Sequence, residues 1–142
     1  MFTGIVSANL HHLIVVTLCA SLGMFGFWLI QYKTKDASLV DAAWAMGIAL
    51  AGIYCWAVLP YADLRHDLIA WIVVGWSARL AYYIGKRCLK SPHEDKRYRN
   101  MREYFGHRAQ SAFFVFYQAQ ALFIVLFVFP LFLALQTSSS SI

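Results

Sequence analysis

Charge is what this sequence has least of. Only 13% of its 142 residues are Asp, Glu, Lys or Arg, while 61% are hydrophobic. Ordinary soluble domains carry roughly a quarter charged residues, so this scarcity points to a chain built for the bilayer. Cysteine is also sparse: Cys19, Cys55 and Cys88 are odd in number and far apart. They form neither a disulfide framework nor a metal cluster by spacing, and each reads as compact apolar filler. The five histidines form no HExxH or HxxHH cluster, which argues against zinc proteases and membrane desaturases. No Gly-rich phosphate loop and no GxSxG is present. Residues 1–9 hold no Lys or Arg, so the basic start of a cleaved signal peptide is missing.

What is abundant is uncharged apolar sequence. Residues 13–30 hold eighteen residues without a charge. That length is about enough to cross a hydrocarbon core of roughly 30 Å at a helical rise of 1.5 Å per residue. Three further runs follow, and together they predict an all-α, integral membrane four-helix bundle with spans over about 10–32, 39–60, 67–85 and 112–135. A basic loop over 86–110 and a disordered Ser-rich tail over 136–142 complete the expected organisation. In the second run Ala43, Gly47 and Ala51 recur at i, i+4, i+8, a small-residue stripe that lets another helix approach closely. Trp28, Trp44, Trp56 and Trp71 lie toward span ends, where indoles favour the interface. Gln118 and Gln120 lie about 200° apart on a helix, so at most one faces the interior, in position for an interhelical hydrogen bond.

The net charge of +5 follows topology rather than one soluble face, so nucleic acid is not an expected partner. Four spans put the first and third loops on one side, and ten of the twelve Lys and Arg lie there. This asymmetry predicts cytoplasmic basic loops with both termini outside. The stretch 86–108, KRCLKSPHEDKRYRNMREYFGHR, alone carries eight. Such a loop suits a phosphate or an acidic lipid headgroup. Ser91, Pro92 and Glu94 fit an N-cap, a first helical residue and a capping-box Glu. Tyr98, Met101 and Phe105 then form the apolar stripe of a short helix, Asp95 and Arg99 an i,i+4 pair, and Gly106 its stop. Arg102 flanks the stripe and is better placed to turn inward than Lys96; Glu103 also points away.

Two charges fall inside spans: Asp41 and Arg79. Each costs about 2.5–3.5 kcal/mol on insertion scales, so each is expected to face the bundle interior with a partner. Counting from the span ends puts both at similar depth near the basic loop. They therefore predict either a buried ion pair fixing helix register or a polar pocket in which Arg79 grips an anion and Asp41 orients a substrate.

The segments SLVDAAWAMG, WSARLAYYIGKR, EDKRYRNMREYFG and FFVFYQAQALF resemble the N-terminal half of steroid 5-alpha-reductase-like membrane proteins, in their bacterial, largely uncharacterised branch. EDKRYRNMREYFG is the most specific piece, and the likeness runs over about 37–130. The resemblance implies part of a seven-span reductase fold in a bacterial inner membrane. It also implies NADPH or NADH entering from the cytoplasm, and hydride transfer to an activated double bond of a lipophilic substrate drawn from the lipid bilayer. Asp41 would take the place of the family's acidic residue in span two, and Arg79 that of the cofactor-binding Arg of a Tyr-x-x-Arg. Trp76 stands where that Tyr would be, making Asp41 and Trp76 the catalytic candidates. Arg97, Arg99 and Arg102 would join Arg79 on the cofactor phosphates. Family members continue with about three more spans, so a C-terminal half or a homo-oligomer is an expected partner and the chain reads as truncated. Two alternatives stand beside this: a relative of isoprenylcysteine-type methyltransferases, and a non-enzymatic membrane protein whose basic loop binds anionic lipid or a partner.

Overall fold

The computed structural model describes residues 10–59 and 63–136; the 137–142 tail lies outside them. The described chain is all-helical: α1 Leu10–Thr34, α2 Val40–Val58, α3 Leu64–Lys90, α4 Lys96–Phe105, a 3-10 turn at Gly106–Arg108, and α5 Ala109–Gln136. Four of these elements are long and apolar enough to cross a membrane: α1, α2, α3 and the α4–α5 stretch, whose apolar part is α5. The 35–39 and 86–110 connections meet at one end of the bundle, called the basic end below.

Each helix boundary has a local cause. Lys35, at φ +57°, closes α1 in a left-handed turn in which its N–H donates to the Gln31 carbonyl at 2.8 Å. Asp63 caps α3 by accepting the His66 N–H at 2.7 Å. Gly106, at φ +53°, ends α4 as expected and lets the chain turn into α5.

Two elements differ from the sequence reading. The third helix continues about five residues past the expected span, to Lys90, and Ser91 is its C-cap rather than the N-cap of the next helix. That N-cap is Asp95, whose carboxylate accepts the Arg97 N–H at 3.0 Å. Glu94 is drawn away from a capping box by two tertiary partners, described below.

The interior is an apolar seam. On α5, Phe113, Tyr117, Ala121, Ile124, Val128 and Leu135 are buried at helical spacing. On α3 the buried set is His66, Ala70, Val74, Ser77 and Ala81, which faces α2. The helix α2 sits between α3 and α5, and α1 packs chiefly on α5. The expected small-residue stripe works as close contact: a methyl on Gly47 would overlap Ile124 Cδ1. One turn further on, a Cβ at Gly52 would lie 3.1 Å from Val74 Cγ2 and 3.6 Å from Leu131 Cδ2. Gln118 makes the interhelical bond, its Oε1 accepting from Ser21 Oγ at 2.6 Å.

The tryptophans divide. Trp28 donates to the Gln110 carbonyl at 3.1 Å and Trp56 to Asp67 at 2.8 Å, both near helix ends. Trp44 instead turns inward edge-on to Phe127, with its buried indole N–H unpartnered among the described residues.

Overpacking the three-helix contact at Gly52 costs stability. Gly52→Leu is expected to lose about 1–3 kcal/mol. Gly75→Leu, where nothing lies within 4 Å of the new Cβ, is expected to leave the thermal midpoint in detergent unchanged or raised. Equal midpoints for the two variants would contradict the close approach of α2, α3 and α5.

Candidate functional site

The largest group of paired polar residues among those described lies at the basic end, where α4 lies against the ends of α1, α2 and α5. Glu94 is the hub. Its Oε1 accepts the Ala37 N–H and an Arg102 Nη2 hydrogen, both at 2.8 Å, and its Oε2 accepts Arg102 Nε at 3.2 Å. Its side chain is only 10% exposed and that of Arg102 22%. The pairing is therefore two-pronged and largely withdrawn from water. Arg102 extends the chain of contacts to Gln31 Oε1 at 3.4 Å, and Gln31 Nε2 donates to Gln110 Oε1 at 2.7 Å. The Arg102 guanidinium also lies 4.7 Å over the Phe113 ring, so its charge is covered on one face by an aromatic quadrupole.

A second, wetter cluster stands beside it. Arg97 bridges two elements, donating to Asp41 Oδ2 at 2.7 Å and to Asp95 at 3.2 and 3.3 Å. Ser38 Oγ accepts the Asp95 N–H at 2.8 Å, and Arg87 reaches Asp95 at 3.9 Å. Hydrogen bonds from Arg97 hold the Asp95 carboxyl below the usual carboxylate range. Asp95 first, then Asp41, hold the Arg97 guanidinium protonated above its ordinary range. Burial, with the neighbouring Asp41 carboxylate next, pushes the Tyr98 phenol upward, so Tyr98 stays neutral at physiological pH.

The sequence-designated residues are not all brought together. Asp41 pairs with Arg97, and the expected Asp41–Arg79 pair does not form. Register explains this. Ala42 lies beside Gly85, and Gly52 beside Val74. Arg79 is thus level with Gly47 and Ile48, about 9 Å deeper than Asp41 at 1.5 Å per residue. Counting depth from an expected end near residue 85 had put them level; α3 in fact runs on to Lys90. Arg79 also faces outward rather than inward: it is exposed, and no ion pair or hydrogen bond reaches it among the described residues. Trp76, 50% exposed, shares this outer face of α3 with Tyr83, 65% exposed, away from Asp41. Of the loop arginines, Arg102 turned inward as its place on the helix suggested. Arg97 and Arg102 are both engaged by carboxylates, and Arg99 is exposed without such a partner among the described residues. The Asp95–Arg99 pair is replaced by Asp95–Arg97.

Sequence reasoning missed Gln31, Gln110, Ser38 and the hub role of Glu94. The available signal was weak: Gln31 and Gln110 each sit where an apolar run meets polar sequence, and such residues are usually solvated.

Four helices long and apolar enough to cross a membrane, with the Glu94–Arg102 and Arg97 ion pairs gathered at one end and Arg79 exposed on an outer face at mid-depth, define a polytopic membrane protein. The chain belongs to the family described as protein of unknown function (DUF1295), which it matches over residues 27–142 and which is a steroid 5-alpha-reductase-like family. The match begins earlier and reaches further than the motif likeness over 37–130. No curated protein and no solved structure matches the chain.

Glu94→Ala leaves the half-buried Arg102 without its counter-charge and the Ala37 N–H without an acceptor. The expected loss is about 3 kcal/mol, read as a lower unfolding midpoint in detergent. A change no greater than that of a surface control such as Glu103→Ala would show that the hub is dispensable. Because the folded pKa of Asp95 is depressed, its contribution is complete above the ordinary carboxylate value of about 4. It is lost as pH falls through the lower folded value. Acid titration of the midpoint should fall less steeply in Asp95→Asn than in the parent; parallel curves would refute the assignment.

Proposed function

We propose that this chain forms part of a membrane-embedded, NAD(P)H-dependent reductase acting on a lipophilic unsaturated substrate, with its basic end in the cytoplasm. The observation that carries the reading is Arg79, a mid-depth charge on an open helix face with no counter-charge at its level. A charge inside a span normally faces a partner or a polar cavity. The seven acidic residues of the chain are Asp36, Asp41, Asp63, Asp67, Glu94, Asp95 and Glu103. At the basic end Asp41, Glu94 and Asp95 are shared among Arg87, Arg97 and Arg102, and at the other end Asp63 caps α3 while Asp67 lies in its first turn. A further, anionic component completes the surface.

A dinucleotide fits the donor set in part. Arg79 and Arg99 have free guanidinium forks suited to phosphate oxygens. Arg97 and Arg102 fit it less well, because Asp41, Asp95 and Glu94 already hold them; their role is to fix α4 across the mouth of the bundle. The cofactor, when bound, would supply hydride. Trp76, beside Arg79 on the outer face of α3, would pack against what covers that face, and Asp41, fixed in place by Arg97, would orient polar groups at the cytoplasmic rim. Further spans, as in the reductase fold the family resembles, would cover this face.

One observation favours a second reading. Lys86, Lys90, Lys96, Arg99 and Arg108 are all exposed at the basic end, a surface that suits anionic headgroups without any catalysis.

Titration of purified, detergent-solubilised protein with NADPH separates the two. Saturable binding, weakened about tenfold or more by Arg79→Ala while the unfolding midpoint stays put, supports the cofactor role. Arg79 has no internal partner to lose, so its removal should not destabilise. Absence of NADPH binding, together with salt-sensitive binding to phosphatidylglycerol vesicles that Lys86→Ala with Lys90→Ala weakens, would replace the reductase reading with the lipid one.

A further inference from the structure

A groove runs between α1 and α2 on the side of the bundle away from Arg79. Its walls are residues 15–27 of α1 and 43–54 of α2, Ile124 of α5 lies at its floor, and its volume is about 330 Å³. The cause is in the packing. α2 is drawn tightly onto α3 and α5, α1 rests mainly on α5, and the facing positions Ala20, Gly23, Ala43 and Gly47 are too small to close the gap. A Cβ added at Gly23 meets nothing within 4 Å. The exposed Leu22 and Leu50 flank the opening, so it faces the hydrocarbon region.

Shape and polarity restrict the occupant. Twelve residues of helical rise give a length of about 18 Å, close to the hydrocarbon depth of one leaflet, about 15 Å. The volume spread over that length makes a long, narrow slot. Its lining is apolar except for the Cys19 thiol near mid-length and the Tyr54 hydroxyl at the end far from the basic loop. Tyr54 Oη shares a 2.8 Å hydrogen bond with His12 Nδ1. If Tyr54 donates to His12, its lone pairs remain free to accept; if His12 donates, the phenol hydrogen is free. In either tautomer the pair can bond one more hydroxyl, which is both donor and acceptor.

We propose that this groove binds a single-tailed lipid alcohol, its hydrocarbon tail laid along α1 and α2 and its hydroxyl met by Tyr54. A fused-ring lipid matches the slot's length and width less well. The inference does not depend on any reductase activity, since it rests on residues remote from Arg79 and from the cluster around Glu94.

The test is photolabelling of the whole protein in lipid nanodiscs with a hexadecanol analogue carrying a diazirine on its tail, followed by peptide mapping. The expected result is labelling concentrated on residues 15–27 and 43–54 and competed by excess hexadecanol. Gly23→Phe, which fills open space in the slot, should reduce it about tenfold, the effect of denying burial to two methylenes. Gly26→Phe adds the same ring one turn on, also in open space but outside the groove, and should leave labelling intact. Tyr54→Phe should lower competition by hexadecanol about fivefold without affecting competition by hexadecane. Three results would each overturn the proposal: labelling spread evenly over the lipid-facing residues of α1 and α5, equal effects of Gly23→Phe and Gly26→Phe, or stronger groove labelling by a diazirine sterol.

Discussion

The pairing of Glu94 with Arg102 is the interaction on which the basic end depends. Two opposite charges are withdrawn from water there, and neither tolerates loss of the other. What keeps the pair satisfied is also what holds the bundle together at that end. Glu94 takes the Ala37 N–H that the turn after α1 leaves over, and Arg102 reaches Gln31 on α1, which in turn meets Gln110 on α5. A ten-residue helix is thereby fastened to two long ones. The neighbouring Arg97 does the same for α2 through Asp41, in a more solvated setting where the energetic return per contact is smaller.

This arrangement assigns different work to arginines that look alike in sequence. Arg97 and Arg102 are neutralised within the chain, and their carboxylate partners compete with any incoming phosphate. Arg79 and Arg99 are not so occupied. The basic end is therefore less an open cationic surface than a closed ionic knot with a few free cations at its edge, and Arg79, without a counter-charge among the described residues, lies away from it at mid-depth on α3.

Much of the fold was legible because hydrophobic runs long enough to span a bilayer leave few alternatives, and α1, α2 and α5 start and stop within a few residues of the expected bounds. The end of α3 was not, because hydropathy reports where the bilayer ends, whereas Lys86, Arg87 and Lys90 are good helix formers that extend the helix beyond it. That five-residue difference moved Arg79 relative to Asp41 and undid the expected pair. The start of α4 was missed for a tertiary reason: Glu94 had better partners across space than along the chain. Trp44 sits at a sequence position that suits the interface, yet packing against Phe127 turns it inward. Local patterns set the elements; the polar site depended on register and on which long side chains happen to meet.

The unequal burial of the long helices has a consequence for how the chain reaches its membrane. α1 and α5 carry no charge through their apolar stretches, and α1 is the least buried of the four, so each can partition into lipid on its own merits. α3 cannot do so as readily, since it must take Arg79 to mid-depth with no internal counter-ion. Its retention rests on docking to α2, through the close fit of Gly52 on Val74 and of Gly85 on Ala42. The burden of holding Arg79 at that depth thus falls on the contact between α2 and α3, and a helix that is costly alone is made tenable by its neighbour.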